Sequence, residues 1–441
     1  MAIIQWWPGW IAPCCTSGFT SAQSRRSTQS GQRISVDMRD AVLIICGGLL
    51  QIPAVEAAHD LGLAVIMTDA NPNAAAMHLA DEAVAIDIYD VEAHKKLVDD
   101  VRTRWNLVGV FTEGADVEVT VAETAKHAGL LGISPEAAYN TKNKVRSRAC
   151  LEAAGIPNPV FREVRSYDEA YAAAEEIGFP LIVKALDNSA SRGTTVVETI
   201  NGLPAAFELA TGASTTRTAL LEGLMKGSEH SCEILLTRAG LPRRLNIVDR
   251  PFDYTGGFAF ELGHVNPTSL PQATQDAIFE LTESAARAVG VDFGAFKADV
   301  MVTTEGPRII EVTARLSGGF DCQYTTPLSS GRNFIRAALS IAVGRHIDER
   351  DLTPTRNVFA AAWVSKPTPG RVTDIGDMAG VMKLPGVKYV FLRVAQGEYI
   401  LPYRDCGARP AFVIAIGDTW NDAAQNAANA AKQLPISTTQ E

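Results

Sequence analysis

The chain has 441 residues, more than one hydrophobic core usually organises, so two to four domains are expected. Its 46 % apolar and 20 % charged composition is that of an ordinary globular protein, and a formal charge of −10 excludes a general nucleic-acid surface, which needs clustered Lys and Arg. No apolar run reaches the roughly 18 residues of a membrane span, and the seven cysteines show no CxxC pair. That excludes a disulfide framework and a zinc site and suits a reducing, cytoplasmic compartment.

Residues 1–37 differ from the rest. Trp6, Trp7 and Trp10 precede a Ser/Thr/Gln/Arg stretch with no acidic residue before Asp37. The segment lacks the basic start and longer apolar run of a secretory signal. It reads as a disordered extension, or as a start codon assigned too early with Met38 opening the protein. From Arg39 strands and helices alternate: AVLIICGG, IPAVEAAHDLG, LAVIMTD, EAVAIDI, a helix through Leu97 and Val101, LVGVFTEG and VEVTVAETAKHAG. This rhythm predicts a doubly wound parallel sheet. GGLLQ is not GxGxxG, so no dinucleotide site follows. Ligands of such a sheet bind at the carboxyl ends of its strands, which puts Gly47, Gly48, Asp69, Glu113 and Gly114 either at a site or simply in turns.

At Asn140 the character changes. TKNKVRSRACLEAAGIPNP reads as one basic-faced helix with Lys144 and Arg148 four apart, stopped by Gly155 and Pro157. A strand at VFREV, a helix Tyr167–Ile177 and a strand FPLIVKAL follow. Lys184 interrupts the last apolar run, either snorkelling to the sheet edge or held there for an anion. The small-residue loop DNSASRGTTVV is suited to approaching phosphates with backbone N–H groups, or is a plain hairpin turn. LLEGLMKGSEHSCEILL is strand, turn and strand, with Glu222 and Glu229 about the turn.

Arg308–Thr313 reads as a strand, and FKADVMV before it as its hairpin partner. Side chains alternate, so Glu311, Thr313 and Arg315 share a side, and Asp299 and Glu311 lie next to each other across the hairpin. Two such carboxylates repel unless a cation sits between them, and hard oxygen ligands suit magnesium. Taken alone, the segment reads more readily as a surface hairpin carrying ordinary charges.

The order of these features (basic helix, strand lysine with its Gly/Ser loop, glutamate-flanked turn, two-carboxylate hairpin) resembles the ATP-grasp superfamily, of the carboxylate–amine ligase type. The resemblance runs from about Arg39 to the end, where GARPAFVIAIGDTWNDAAQNAANAAKQL is similar to the carboxy-terminal module of biotin-carboxylase-like members. It implies an α/β and α+β fold with a doubly wound domain at 38–134, a two-lobed nucleotide-grasping domain at 135–345 and a mixed-sheet domain at 346–441. Carried over, Lys144 and Lys184 are expected on the ATP phosphates, and Ser189, Ser191, Arg192 and Gly193 in the loop covering them. Glu222, with the backbone of Gly223 and Leu224, is expected at the adenine edge, and Glu229 on the ribose. Asp299 and Glu311 are the expected ligands of Mg²⁺ (or Mn²⁺), and Arg315 the arginine stabilising phosphoryl transfer. Thr313 stands where the family's usual Asn ligand would be, and Gly223 where a second Glu often is.

The expected chemistry is activation of a small carboxylate as its acyl phosphate by ATP, followed by attack of an amine. Arg250 or Arg315 is the candidate for a substrate carboxylate, with Arg332 a further anion contact. Glu261 and His264 are candidates for handling the nucleophile, His264 being equally readable as structural. The strands after residue 355 either close the site or build a homodimer, and no catalytic residue is expected there. The competing expectations are a bicarbonate-phosphorylating carboxylase and a nucleotide-binding protein without catalysis.

Overall fold

The computed structural model describes the backbone of residues 2–5 and all of residues 38–237 and 241–440. The remainder of the N-terminal extension expected at 1–37 lies outside the described residues. Ala2–Gln5 forms a strand parallel to Val387–Leu392.

Four parallel strands make the first sheet, in the order Glu82–Ala85, Ala64–Asp69, Asp40–Ile45, Asn106–Phe111. Its central strand shows why an almost continuous apolar run is needed here. Val42 and Ile44 pack on one face against the helices Ile52–Asp60 and Phe334–Ala342, while Ala41, Leu43 and Ile45 pack on the other against Val91–Val101 and Glu118–His127. Phe334–Ala342, from much later in the chain, thus completes the first core.

The second sheet is antiparallel, in the order Phe161–Val164, Ala219–Gly223, Leu181–Ala185, Thr195–Val197. Helices Tyr167–Ile177 and Leu203–Ala213 cover one face. Leu181, Val183 and Ala185 point into that core, so Ile182 and Lys184 face the other way. Alternation resolves the lysine in the apolar run: it is held on the open face.

The third sheet has nine strands. From one edge they run Ala2–Gln5, Val387–Leu392, Ala411–Gly417, Phe359–Val364, Gly263–Asn266, Pro242–Arg250, Ser228–Leu236, Gly294–Thr303, Gly306–Thr313. All neighbours after the first pair are antiparallel. Helix Gln272–Val289 covers its later half and helix Trp420–Lys432 its carboxy-terminal half. The fold is α/β followed by α+β, as read from the sequence. The expected single basic helix is two helices, Pro135–Lys142 and Lys144–Ala153. Asn143 leaves helical geometry between them and caps the second with its side chain, accepting from Arg146 N at 3.0 Å.

Candidate active site

One cavity of about 350 Å³ lies between the second and third sheets, and the residues expected on ATP, on the metal and in catalysis line it, Gly193 excepted. Gly193 serves packing instead. Its φ is +71°, and a Cβ there would stand 2.7 Å from that of Ala213. Arg332 is also elsewhere, donating to Leu245 O at 2.7 Å and lying over the Phe334 ring. Gly47, with its N–H on Asp69 Oδ2 at 2.9 Å, holds a turn outside the cavity, as does Gly48.

The roof is the open face of the second sheet. Lys184 Nζ donates to Glu222 Oε2 at 2.6 Å, and Arg148 Nε donates to Glu222 Oε1 at 2.7 Å. Glu222 is 1 % exposed. Burial alone would raise its carboxyl, but the two cations overcome that and hold it at about 2. Each of its oxygens is engaged by one of these cations. The Gly223 N–H is taken by Val160 O at 3.0 Å, and the Leu224 N–H has only a long 3.4 Å contact with Pro180 O. Leu224 is the backbone position left to a ligand.

The break at Asn143 places Lys144 in the first turn of its helix, where its Nζ donates to Asn188 O at 2.5 Å and stands 3.3 Å from Glu311 Oε1. It joins the roof loop to the floor. That loop turns through Ala190 and Ser191, both at φ +60°, and its Ala190 O accepts from Cys406 N at 3.0 Å.

The floor is the hairpin Gly294–Thr313. Its register sets Asp299 opposite Glu311 and Lys297 opposite Thr313, as the alternation required of the carboxylates. The cations beside Asp299 are protein groups: Lys297 Nζ at 2.6 Å from Oδ1 and Arg250 NH1 at 2.9 Å from Oδ2. Against burial, they keep the Asp299 carboxyl below its ordinary range. Thr313 Oγ1 is buried with no hydrogen-bond partner among the described residues. No cluster of three or more His, Cys, Asp or Glu side chains suited to a metal occurs among the described residues. Two carboxylates with an unpartnered hydroxyl fit magnesium, which completes its shell with water and phosphate oxygens.

Arg250 is the hub of the far wall. It reaches Glu229 Oε1 at 2.8 Å and Glu261 Oε1 at 3.0 Å besides Asp299. Glu261 Oε2 accepts from Arg409 at 2.7 Å. Burial opposes its ionisation, but the two arginines hold Glu261 well below the usual carboxylate range, which keeps it an anion. Glu229, pushed up by burial against the pull of Arg250, keeps its second oxygen out of that pair. His264 is 5 % exposed and burial lowers its pKa, which keeps the ring neutral. Its Nε2 meets Thr325 Oγ1 at 2.9 Å. The Thr325 hydroxyl also stands 3.3 Å from Asp321 O.

Among the wall residues that went unread in the sequence are Asp116, Lys142 and Arg409. Arg315 Nε donates to Asp116 Oδ1 at 3.0 Å and its NH1 to Leu316 O at 2.9 Å. Lys142 Nζ donates to Asp116 O at 2.9 Å. Asp116 follows the strand end where Glu113 and Gly114 were noted, and that position was its one signal. Arg409 and Phe412 show that the strands after 355 close the site.

Residues 177–323 match the ATP-grasp domain, and residues 362–439 match the L-amino acid ligase C-terminal domain 2. The chain carries an ATP-grasp domain. The formate-dependent phosphoribosylglycinamide formyltransferase of Rhodococcus jostii is 25 % identical to this ATP-grasp chain over 317 residues, 68 % of this chain and 75 % of its own. The L-amino acid ligase of Bacillus licheniformis superposes with a TM-score of 0.76 at 23 % identity, over 92 % of this chain and 100 % of its own. The biotin carboxylase domain of the 2-oxoglutarate carboxylase of Hydrogenobacter thermophilus, solved with MgADP, ADP and bicarbonate, superposes at 0.69 and 19 % identity over 91 % of each. At these identities the superpositions show the ATP-grasp fold.

Proposed function

We propose that this ATP-grasp chain is an ATP-dependent, ADP-forming ligase that joins an amino acid or other small carboxylate to an amine through an acyl phosphate. The observation that carries the reading is the convergence, in one cavity, of Lys144 and Lys184 from the roof with Asp299, Glu311 and Arg315 from the floor. We divide the chain accordingly into units at 38–134, 135–345 and 346–441, and assign it to the cytoplasm. Its five described cysteines are free, and no helix among the described residues is long and apolar enough to cross a membrane.

Each side chain then has a task. Lys144 and Lys184 neutralise the ATP phosphates, while Leu224 and the free oxygen of Glu229 are left to the adenine and ribose. Asp299, Glu311 and Thr313 would hold Mg²⁺, which supplies charge neutralisation along the phosphate chain. Arg315, oriented by Asp116, stabilises the phosphoryl group as it passes to the substrate carboxylate. An attacking amine must lose a proton, and His264, kept neutral by burial, is the base in the cavity that would take it. Arg250, tied to three carboxylates, holds the wall in shape and is not free for a substrate anion.

The test is ADP and phosphate release with ATP and Mg²⁺ against amino acids, dipeptides and bicarbonate, with hydroxylamine present to trap the activated acid. Hydroxamate formed with one carboxylic acid is the expected result. ADP release that depends on bicarbonate alone would move the chain to the carboxylases and overturn the reading.

A further inference from the structure

Strand Ser228–Leu236 carries polar groups on both of its faces. Glu229 and Ser231 line the cavity. Side chains alternate, so Ser228 and His230 point to the back of the sheet, away from the nucleotide region. Farther along that back face Cys232, Ile234 and Leu236 pack under helix Gln272–Val289, but at this end of the strand the polar pair takes their place. His230 is buried and stands opposite Asp249 on strand Pro242–Arg250, while Ser228 is exposed.

These three side chains form a relay. Ser228 Oγ lies 2.6 Å from His230 Nε2, and His230 Nδ1 lies 2.8 Å from Asp249 Oδ1. Asp249 is held by further donors. Thr268 Oγ1 donates to the same oxygen, while Ser269 N at 3.0 Å and Trp420 Nε1 at 2.8 Å donate to the other. Thr268 and Ser269 lead into helix Gln272–Val289 and Trp420 opens helix Trp420–Lys432, so two helix starts fix the carboxylate. Burial opposes its ionisation, but the bonds from His230 and Thr268 keep the Asp249 carboxyl below its ordinary range. A carboxylate only accepts, so Nδ1 carries a proton. In the neutral ring Nε2 then holds the lone pair that faces the Ser228 hydroxyl.

We propose that Ser228, His230 and Asp249 form a second, hydrolytic site that takes small activated carboxylic esters. Ser228 Oγ attacks the ester carbonyl while His230 Nε2 takes its proton. The bond from the acyl carbon to the alcohol oxygen then breaks, and His230 returns the proton to that oxygen. Water next attacks the acyl-Ser228 carbon, His230 takes its proton, and the ester bond to Ser228 breaks as Oγ takes the proton back. Ester and water give acid and alcohol, with no cofactor. Asp249 acts through His230, as a positioning residue that orients the ring and stabilises its charged form. The exposure of Ser228 suits short acyl groups arriving from solvent. None of the three side chains lines the ATP cavity, so the proposal is independent of the ligase reading.

The test is p-nitrophenyl acetate with the full-length protein and no ATP, read by peptide mass mapping of acetyl-serine and by p-nitrophenolate release. Ser228 is expected to be acetylated on the order of 10²-fold faster than Ser166, an exposed helix cap, with release continuing past one phenolate per chain. Ser228→Ala is expected to lose the adduct and the release that accompanies it, and His230→Gln to form the adduct more slowly by the same order. Asp249→Asn removes the anion beside the ring, so it is expected to lower the pH of half-maximal acetylation, whereas a loss of shape alone would lower the rate at every pH alike. Acetylation of wild-type Ser228 no faster than that of Ser166 overturns the proposal, and that comparison needs no variant. An undiminished rate in folded His230→Gln, or an unchanged pH profile in Asp249→Asn, overturns the relay. Release that stops at one phenolate per chain overturns the hydrolytic step.

Discussion

Glu222 sits between Arg148 and Lys184 with one oxygen for each. A buried ion pair adds little net stability over an apolar core, but removing one partner strands the charges that remain. Glu222→Ala should therefore destabilise the protein by about 3–5 kcal/mol in denaturant titration, with Arg148 left buried. The sign of its titration follows from the depressed value of about 2. Its contribution is complete above the ordinary carboxylate range and is lost as pH falls toward about 2, an acid-side weakening. Arg315→Ala and Glu311→Ala act on chemistry instead. Each should lower kcat on the order of 10²–10³-fold with the fold intact, and an unimpaired Glu311→Ala enzyme removes Glu311 from the metal site. At this scale legibility tracks local contrast. Lys184 is visible because a charge interrupts an apolar run. Arg315 with Asp116 and Arg409 with Glu261 pair across 199 and 148 residues, and nothing near either partner announces the other.

Strands and their alternation were readable because each buries one face or both and the residue pattern says which. The hairpin register, with Asp299 opposite Glu311, follows from a short turn and period-two spacing. The break at Asn143 was not readable as a break. The segment holds helix formers on both sides, and the cap is recognisable only once Lys144 has a cavity to face. Glycines hide their reasons similarly. Gly263 has no side chain to contrast with its neighbours, yet a Cβ there would lie 2.1 Å from Ala362 O in the adjacent strand. Gly263→Ala must push apart Gly263–Asn266 and Phe359–Val364, and should cost about 1–3 kcal/mol. It should also lower activity, because His264 is the next residue on that strand. Unchanged melting and unchanged kcat in this variant would show that the strand contact is dispensable.

For the whole molecule, the fold class was legible because the alternation of strand and helix up to Asn140 gives way to runs of strands. The joining of the units was not, since patterning reports which face is buried and not by what. Glu113 is a measure of that joining. It ends the first sheet, yet accepts from Gln323 Nε2 at 2.8 Å and lies near Cys322, Glu233 and Arg315. Burial pushes its carboxyl up to about 8. A raised acid favours the fold while protonated, so its contribution is complete below about 4.5 and is lost as pH rises through about 8. Thermal melting should fall across that window in the wild type and fall less in Glu113→Gln. Equal slopes for the two proteins would remove Glu113 from the account.

The nine-stranded sheet bears on how such enzymes are recombined. Strand Gly263–Asn266 has Pro242–Arg250 on one side and Phe359–Val364 on the other, so the sheet passes through residue 345 without a seam. A graft made at that point would not exchange a detachable cassette. It would bare the edge of the strand carrying His264 and remove Arg409 from Glu261, leaving an aggregation-prone stump. Chimeras of this enzyme should be cut instead beyond the sheet's last pairing, or be built by replacing both halves together.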